Sequence, residues 1–289
     1  MRCRFGGNYR SGDQPAILSH MHQSKYHKIE LLGEECEVIE AAFGTSRFEK
    51  HFHDVFSIGL VEKGVNAFTY RGKHVEAGAG SICIADAGEV HDGGLAGASW
   101  AYRNIFLPPE LLGRLWQEDG GQRPPNFNRG VVDETPICVS MARLFGVLLN
   151  SSDQATRDEA AILALGTLLR NFGTETPRSA QTRTEPVAVQ AVEMITDMKG
   201  AGLSLDDLSW ETGVSRYSVI RAVSGATGLT PSALMLQTRV DHAKRLVRIG
   251  VPLAEAALDA GFSDQAHLTR EMKKRWGVTP GKLKPANRH

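Results

Sequence analysis

Residues 253–276 have the sequence LAEAALDAGFSDQAHLTREMKKRW, in which two short helical patterns flank a tight turn. Gly261 is the residue type that favours the left-handed end of a helix, and Asp264 is a residue type that caps the start of the next one. In the second helix, apolar residues recur at positions i, i+4 and i+8, which predicts one buried stripe: Leu268, Met272 and Trp276. This arrangement predicts a helix-turn-helix.

The same pattern occurs once upstream. A helix that begins near Leu205 is expected to end at Gly213, and Ser215 is expected to cap a second helix over residues 216–225. Four apolar residues would form the shared core of this pair: Leu208, Val214, Val219 and Val223. The chain therefore carries two candidate helix-turn-helix units, each with its second helix in the recognition position.

Both units end in the sequence Gly-apolar-Thr-Pro, which starts at Gly228 in one and at Gly277 in the other. The two endings define an internal repeat of 49 residues. A helix is predicted between the units, over residues 232–248, and it would be about 25 Å long at about 1.5 Å per residue. That length suits two recognition helices that enter successive major grooves on one face of DNA.

Residues 187–284 resemble the tandem helix-turn-helix domain of AraC/XylS-family transcription regulators. The most specific parts of the resemblance are the segment 261–265, the triplet 268–270 and the ending 277–280. The alternative is a generic helical bundle, but the two units, their spacing and the basic second helix all agree with the family. The resemblance implies a sequence-specific DNA-binding transcriptional regulator that is controlled by a small-molecule effector.

The resemblance also implies which side chains face DNA. They are Arg216, Tyr217, Ile220 and Arg221 in the first recognition helix, and Gln265, His267, Thr269, Arg270, Lys273 and Lys274 in the second. Arginine and glutamine suit bidentate contacts with base edges, whereas the two lysines suit phosphates. The first helix departs from the family, because Val219 and Val223 stand where larger residues are usual. Ile220 replaces a polar residue there and suits a thymine methyl group.

The N-terminal half has the pattern of a β-structure. Glycine-bearing turns separate five β-rich runs: Cys36–Ala42, Phe56–Glu62, Asn66–Tyr70, Ser81–Ala85 and Trp100–Leu107. The turn glycines recur at a spacing that suits a small antiparallel barrel or jelly roll. After Pro108 the period changes, and a short helix is predicted over residues 109–116.

The AraC/XylS family often joins its helical domain to a small cupin-like barrel, and residues 44–91 resemble one. His51 and His53 match the first cupin motif, and the segment from Gly80 to His91 resembles the second, with Asp86 where proline is usual. The fold class that we expect is therefore α+β. It consists of an N-terminal cupin-like β-barrel with a helical hairpin and a C-terminal all-α double helix-turn-helix domain.

The three histidines His51, His53 and His91 have three candidate roles. In the first, they help to bind a small effector in the mouth of the barrel, together with Trp100 and Tyr102. In the second, they bind a transition metal, since three imidazoles make a sound set of ligands. In the third, they are structural groups held by hydrogen bonds near strand ends.

Effector binding is the reading that we favour, with no metal and no other cofactor. Metal-dependent cupins also supply a glutamate shortly after the first histidine pair, where this chain has Ser57 and Ile58. A metal-dependent cupin enzyme tethered to a DNA-binding domain remains the alternative, although we expect no enzymatic activity. The face of the last strand that carries Arg103, and not the face that carries Trp100, is the other candidate lining for the pocket.

Two longer helices are predicted over residues 136–150 and 153–172, joined tightly enough to form an antiparallel hairpin. Their apolar stripes either cover the barrel or pair with a second subunit: Ile137, Met141, Leu144, Phe145, Leu148, Ala161, Leu165, Leu168 and Leu169. The family resemblance implies a homodimer through residues 136–172. Residues 174–186 have almost no apolar side chain and form the predicted linker between domains 21–173 and 187–289.

Composition and charge agree with this organisation. The net charge is zero, but residues 186–289 hold 14 lysines and arginines against 10 acidic residues, which favours a polyanion partner for this end. The four cysteines are scattered and match neither a zinc site nor a disulfide framework. With no long apolar run and no signal-peptide pattern, we expect a cytoplasmic protein whose partners are double-stranded DNA and a small molecule.

Overall fold

The computed structural model describes residues 23–44, 47–95, 99–175 and 186–283. These residues divide into two compact units. The first comprises residues up to 47 together with 53–175, and the second comprises 48–52 together with 186–283. The strand that falls in the short segment 48–52 is described with the sheet to which it is hydrogen-bonded.

The β-structure of the first unit forms three antiparallel sheets. The described residues contain twelve strands: β1 (Gln23–Leu31), β2 (Glu34–Phe43), β3 (Phe48–His51), β4 (Phe56–Lys63), β5 (Val65–Tyr70), β6 (Lys73–Gly78), β7 (Ile82–Ala85), β8 (His91–Leu95), β9 (Trp100–Leu107), β10 (Pro125–Phe127), β11 (Val131–Val132) and β12 (Gly173–Glu175). A six-stranded sheet has the order β1-β2-β9-β4-β7-β11, and a four-stranded sheet has the order β3-β8-β5-β6. β10 and β12 form a separate pair.

Both faces of the six-stranded sheet are covered. One face packs against α1 (Pro109–Glu118), α2 (Thr135–Asn150) and α3 (Gln154–Phe172), and residues such as Ile58 and Ile105 join the helices in one core cluster. The other face meets the four-stranded sheet through a second cluster of buried residues: Val61, Ala85, Phe68, Tyr70 and Ala77. We call the space between the two sheets the interior.

The hairpin of α2 and α3 covers the sheet. All nine residues of the two predicted apolar stripes are buried and belong to the core cluster of the six-stranded sheet. Of the two alternatives that the sequence left open for these stripes, the structure therefore supports the first. The apolar side chains that α3 leaves exposed are different ones, Ile162 at 47% and Leu163 at 59%.

All five predicted strands are present, as β2, β4, β5, β7 and β9. The sequence missed β1, β3 and β6, and these lie at the edges of their sheets. Edge strands carry charged side chains that discourage further pairing, and these charges weaken the alternating apolar pattern. β8 was missed for another reason, since its sequence HDGGL contains two glycines.

The boundary between the predicted domains differs in detail. β12 pairs with β10, so residues 174 and 175, predicted as the start of the linker, belong to a strand of the first unit. Pro186, the last residue of the predicted linker, begins a helix. The rest of that linker, residues 176–185, lies outside the described residues, as do residue 21 and the end of the chain from 284.

The second unit is helical, as predicted, so the α+β fold class is confirmed. Its described helices are α4 (Pro186–Asp197), α5 (Leu205–Thr212), α6 (Arg216–Thr227), α7 (Pro231–Arg248), α8 (Leu253–Asp259) and α9 (Gln265–Trp276), followed by a short 3-10 turn over Pro280–Leu283. The predicted core residues of the first helix-turn-helix are buried, except that Val214 is half-buried. In the part of the chain that the structure describes, no single helix is long and apolar enough to cross a membrane. α6 and α7 reach the required length and composition only together, across a 55° bend.

Glycines and side-chain caps set the helix ends where the sequence places them. Gly213 and Gly277 adopt left-handed φ angles of 68° and 65° at the ends of α5 and α9. Ser215 caps α6 by accepting a hydrogen bond from the Ser218 backbone N–H. α8 ends at Asp259, two residues before Gly261, whose φ is 74°.

Gly200 and Gly213 provide a matched pair for testing one close approach in the helical unit. Both have left-handed φ angles, 69° and 68°, but a Cβ at Gly200 would lie 2.1 Å from the carbonyl oxygen of Met235, whereas a Cβ at Gly213 would meet nothing within 4 Å. Gly213→Ala should cost only the conformational penalty of about 1–2 kcal/mol. Gly200→Ala should cost about 1–3 kcal/mol more, because the backbone of α7 must move. Denaturant unfolding of the full chain measures both changes, and equal losses would contradict the close approach.

Candidate DNA-binding helices and ligand-binding interior

α9 has one buried side and one exposed side. Leu268, Met272 and Trp276 are buried, which confirms the predicted apolar stripe. Arg270 and Lys273 are exposed. The helix therefore presents cationic side chains on its free surface, as a DNA recognition helix requires.

Two of the predicted DNA-facing residues in α9 also make contacts within the protein. The Thr269 hydroxyl donates to the backbone oxygen of Gln265 at 2.8 Å. The half-buried ring of His267 lies edge-on to Phe262, with 5.1 Å between centroids, and its Nδ1 is 3.2 Å from the Ser263 Oγ. These contacts stabilise the turn and the first turn of the helix, so both residues have a structural role besides the predicted one.

The two lysines of α9 differ. Lys274 Nζ lies 3.1 Å from Glu271 Oε1, and the buried Arg275 guanidinium lies 2.6 Å from the other oxygen of the same carboxylate. Burial raises the pKa of Glu271, but the hydrogen bonds from Lys274 and Arg275 outweigh burial and lower it. Both lysines are exposed, but Lys273 takes no part in these ion pairs and therefore has the better placement for a phosphate contact.

α6 presents three of its four predicted residues to solvent: Arg216, Tyr217 and Arg221. The Arg221 guanidinium lies over the Tyr217 ring, 5.9 Å from its centroid, and Arg216 pairs with Asp206 of α5. Ile220 is half-buried. Its side chain is thus shared between the core of the unit and the exposed side of the helix.

Arg239 of α7 holds the turn before α9, and the sequence did not single it out. Its guanidinium lies over the Phe262 ring at 4.4 Å, its Nε donates to the Ala260 backbone oxygen at 3.0 Å, and its Nη2 donates to the Gly261 backbone oxygen. The connecting helix therefore fixes the turn of the second helix-turn-helix. An arginine within an amphipathic helix carries no signal for such a role, because its partners are backbone groups about 20 residues further along.

In the first unit, strand register decides which face of β9 lines the interior. Tyr102 pairs with Val61, and paired residues point to the same side of a sheet. Val61 belongs to the cluster between the sheets, so Tyr102 faces the interior. Arg103 points away and forms ion pairs with Glu62 at 3.0 Å and Glu40 at 3.5 Å. The face that carries Trp100 and not the face that carries Arg103 is therefore the inner one.

Aromatic side chains fill one end of this inner face. The ring centroids of Phe43 and Trp100 are 5.0 Å apart, those of Trp100 and Tyr102 are 4.8 Å apart, and those of Phe43 and Tyr102 are 5.7 Å apart. Trp100 is only 2% exposed, and burial raises the pKa of Tyr102. The predicted effector residues Trp100 and Tyr102 thus form one aromatic wall.

Asn104 is the next residue of β9 that faces the interior, and its side-chain amide nitrogen lacks a described hydrogen-bond partner. It is 3% exposed, and its Oδ1 accepts a hydrogen bond from the Ser57 hydroxyl at 3.0 Å. Its Nδ2 has no hydrogen-bond partner among the residues that the structure describes. Buried polar groups are nearly always paired, so this amide marks a place for a ligand or a water. Gly59 lies opposite, where an added Cβ would be 2.8 Å from Asn104 Oδ1.

Two of the three predicted histidines, His53 and His91, lie together in the first unit, whereas His51 falls in the segment 48–52 that is counted with the second unit. His51 ends β3, and His91 begins β8. The three residues are 3–9% exposed. The His53 ring is edge-on to His91 and to Phe106, each at 5.1 Å. Burial lowers the pKa of His91.

Backbone carbonyls fix two of these rings. His51 Nδ1 lies 2.6 Å from the Glu49 oxygen, and His91 Nδ1 lies 2.9 Å from the Glu89 oxygen. A carbonyl oxygen accepts only, so Nδ1 donates in both cases and carries the proton. Phe106, Asn104 and Tyr102 alternate along β9, so His53, which contacts Phe106, and the aromatic wall lie along the same inner face.

Asp86, which replaces the usual proline, is a buried structural acceptor. It accepts hydrogen bonds from the Tyr70 hydroxyl at 3.0 Å, the Arg71 guanidinium at 2.6 Å and the Phe127 backbone N–H at 3.0 Å. Burial raises its pKa to about 6, although these three donors act in the opposite direction. Asp86 therefore links β5, β7 and β10.

Two protein-family models match the chain. The AraC-like ligand binding domain matches residues 35–169, and a helix-turn-helix domain matches residues 208–285. The first match begins in β2 and ends in α3, and the second begins in α5 and includes α6 to α9. Each match lies in one of the two units.

Relatives of similar length carry the same two parts. The chain is 29% identical over 225 residues to the uncharacterized HTH-type transcriptional regulator YbfI of Bacillus subtilis (strain 168), which covers 77% of this chain and 82% of that protein. It is 22% identical over 276 residues to the HTH-type transcriptional activator RhaS of Klebsiella pneumoniae (strain 342), with 91% and 96% covered.

Solved structures of ToxT from Vibrio cholerae strain SCE256 share the fold. An apo variant superimposes with a TM-score of 0.53 at 12% identity, over 91% of this chain and 97% of that one. Wild-type ToxT bound to unsaturated fatty acid gives 0.51 at 13% identity, over 90% and 93%.

A ligand-binding domain joined to a tandem helix-turn-helix domain defines a DNA-binding transcriptional regulator. The chain belongs to the AraC/XylS family of such regulators. The reported relatives are transcription regulators, and none of these comparisons supports the alternative of a cupin enzyme.

Arg270 and Lys273 test the orientation of α9. Arg270→Ala should cost about 1–3 kcal/mol in specific DNA binding and relax the preference at one base position. Lys273→Ala should weaken binding to all sequences alike. It should also make the slope of the logarithm of the binding constant against the logarithm of the salt concentration about one unit less steep. Fluorescence anisotropy with specific and shuffled duplexes at several salt concentrations measures both effects. If the two variants behave alike, the assigned orientation is wrong.

Asp86→Ala tests the buried acceptor. Removal of the carboxylate leaves the buried Phe127 N–H without its acceptor, whereas the Tyr70 hydroxyl still has the Phe127 backbone oxygen at 3.0 Å. One buried donor without an acceptor costs about 1–3 kcal/mol, and we expect a loss of that size in the free energy of unfolding. Glu89→Ala is the control, because Glu89 is the other carboxylate beside Arg71, at 3.4 Å, and is partly exposed. If Glu89→Ala lowers the free energy of unfolding as much as Asp86→Ala does, the ion pair with Arg71, and not the buried donors, accounts for the loss.

Proposed function

We propose that a small molecule bound in the interior of the two-sheet unit controls DNA binding by the helical unit. A ligand shifts a protein between two arrangements only by as much as it binds one of them better. The proposed coupling runs through the hairpin of α2 and α3 and the linker. The observation that carries the proposal is the buried Asn104 amide, whose Nδ2 is unmatched within the described ranges.

The lining indicates the chemistry of the effector. An acceptor atom on the ligand would pair with Asn104, and an apolar or aromatic body would lie against Trp100 and Tyr102. The histidines His51, His53 and His91 would contact its other end. This assignment combines the predicted effector-binding residues with Asn104, which lies between Tyr102 and Phe106 on the inner face of β9.

The effector proposal is tested by thermal shift with a panel of small carboxylates, phenols and sugars. Compounds that raise the melting temperature of the wild type should bind Asn104→Leu about two- to tenfold more weakly, since one lost hydrogen bond is worth about 0.5–1.5 kcal/mol. Asn150→Leu, which changes an exposed asparagine at the end of α2, is the matched control. Equal affinities in all three proteins would place the effector elsewhere.

For DNA, we propose that both recognition helices contact bases from one protomer. α6 would use Arg216, Tyr217, Ile220 and Arg221, and α9 would use Gln265, His267, Thr269, Arg270, Lys273 and Lys274. α7 joins the two helix-turn-helix motifs and has 18 residues, a length of about 27 Å. This length favours contacts in two successive major grooves.

DNA from upstream of the protein's own gene, compared with a shuffled duplex at two salt concentrations, tests this mode of binding. We expect a preference for the upstream DNA that persists at the higher salt, because base contacts add to the electrostatic attraction. The assay is repeated with each compound that shifts the melting temperature. Equal binding to both duplexes, with and without such a compound, would contradict sequence-specific control.

We also propose a homodimer through the hairpin, and specifically through the exposed side of α3. Ile162 and Leu163 are large apolar residues on its surface, while the predicted stripes are used against the sheet. A second copy of the chain is the proposed occupant, because both exposed residues belong to the segment 136–172 that the family resemblance assigns to dimerisation.

Sedimentation velocity measures the oligomeric state. Leu163→Glu should shift the wild-type dimer to monomer, because a carboxylate would have to be buried at the interface. Leu258→Glu introduces the same change at a residue that is 64% exposed in the helical unit and should leave the dimer intact. A monomeric wild type, or a dimer that survives Leu163→Glu, would contradict this interface.

The proposed location is the cytoplasm, because both proposed partners, DNA and a small metabolite, are met there. The proposal contains no enzymatic step, in keeping with the transcription regulators that the chain resembles.

A further inference from the structure

We propose that Arg239 determines which spacing of two DNA half-sites the protein selects, because it holds α9 at a fixed angle to α6. A half-site is the short sequence that one recognition helix contacts. This role rests on the proposed contact of both recognition helices with one DNA duplex. α7 connects the two helices in the chain, and α6 and α9 are held to it by different kinds of contact.

α6 is held to α7 by a short turn. α6 ends at Thr227 and α7 begins at Pro231, with a bend of 55° between the two helices. Gly228 has a left-handed φ of 73°, and the Thr230 hydroxyl caps α7 by accepting a hydrogen bond from the Ala233 backbone N–H at 3.3 Å. Because these residues are close in sequence, the direction of α6 relative to α7 is determined locally.

α9 is held to α7 by side chains that are distant in sequence from their partners. The Arg239 guanidinium donates hydrogen bonds to the backbone oxygens of Ala260 and Gly261. It also lies over the Phe262 ring, 4.4 Å from the centroid. That ring in turn contacts the edge-on ring of His267 in the first turn of α9, with 5.1 Å between centroids. A continuous series of contacts therefore leads from the connecting helix to the second recognition helix.

The same segment is packed on two further sides. His242, one turn after Arg239, has its Nε2 2.7 Å from Oδ2 of Asp259 at the end of α8. A Cβ at Gly261 would lie 3.3 Å from Arg239 Nε and also 3.3 Å from the Cβ of Ala201, in the loop before α5. The turn before α9 thus lies between α7 and the first helix-turn-helix. Loss of the guanidinium should loosen the direction of α9 and leave the turn between α6 and α7 intact.

The spacing of the half-sites on DNA reports the angle between the two helices. One base pair more or fewer moves the second half-site by about 3.4 Å along the duplex and rotates it by about 34° around the axis. Two recognition helices at a fixed angle fit one spacing, whereas a loosely held α9 also fits the neighbouring spacings. A contact of Arg239 with a phosphate would have a different effect, because its loss would weaken binding to every duplex alike.

Duplexes that the wild-type full chain selects from a random-sequence pool supply the two half-sites for the test. Fluorescence anisotropy compares each selected duplex with derivatives that have one base pair inserted or deleted between the half-sites. The wild type should lose about tenfold in affinity on either change, and Arg239→Met about twofold or less. Both affinities in this ratio are measured on one protein preparation, so the ratio does not depend on how much of a variant is folded.

Two further variants accompany Arg239→Met. Arg239→Lys keeps the positive charge but cannot donate to two oxygens in one plane, so its spacing preference should be relaxed in the same way. Arg245→Met removes an exposed arginine from the same helix and should keep the wild-type preference.

The outcomes separate the role of Arg239 from the proposed mode of DNA binding. If Arg239→Met or Arg239→Lys keeps the wild-type spacing preference, or if Arg239→Met weakens binding to all spacings alike, Arg239 does not set the spacing, although both helices still contact DNA. If the wild type itself tolerates both changes of spacing, the helices are not held at a fixed angle and the proposal is wrong. Selected DNA with a single half-site would contradict binding by both recognition helices, and the role of Arg239 with it.

Discussion

The six-stranded sheet has to be buried on both faces, and the rest of the first unit follows from that requirement. A strand alternates its side chains, so each residue of β4 or β9 is committed to one face by its position. Ile58 and Ile105 turn to the helices, while Val61 and Tyr102 turn to the four-stranded sheet. A register slip of one residue would exchange these two sets and bring the polar inner residues into the apolar core. The apolar core and the candidate pocket are thus two consequences of one register.

The helical unit depends on a different constraint, the tight turn before each recognition helix. Gly213 and Gly261 both adopt left-handed backbone angles, and a side-chain cap follows each of them. The second turn has an additional support from Arg239, which reaches from the connecting helix to its backbone oxygens. A substitution in α7 would therefore affect the turn before α9 first. The internal repeat gives both helix-turn-helix motifs the same order of helix, turn and cap, but the contacts of Arg239 stabilise the second turn.

The sequence predicted the strands and helices whose apolar residues follow a local periodic pattern. The central strands, both helix-turn-helix units and the hairpin helices were predicted because their apolar residues recur with a fixed period. The edge strands were missed because their charged side chains hide that period. The histidines were predicted from motif spacing, whereas Asn104 was not among the predicted site residues. Its importance depends on Ser57, 47 residues away, and on the unmatched amide nitrogen, and neither is visible without the register of β4 against β9.

Gly59 has a consequence for how regulators of this kind diverge. It stands opposite Asn104 on the inner face, and the asparagine amide can keep its position because residue 59 has no side chain, since a Cβ there would lie 2.8 Å from Asn104 Oδ1. The position is buried in a sheet but contributes nothing to the apolar core on the helical side. A duplicated gene that acquired alanine or serine there would have to move the Asn104 amide, and with it the donor offered to a ligand, while the helices that face DNA would keep their sequence. One codon would then be enough to separate two paralogues by the molecule that each one senses.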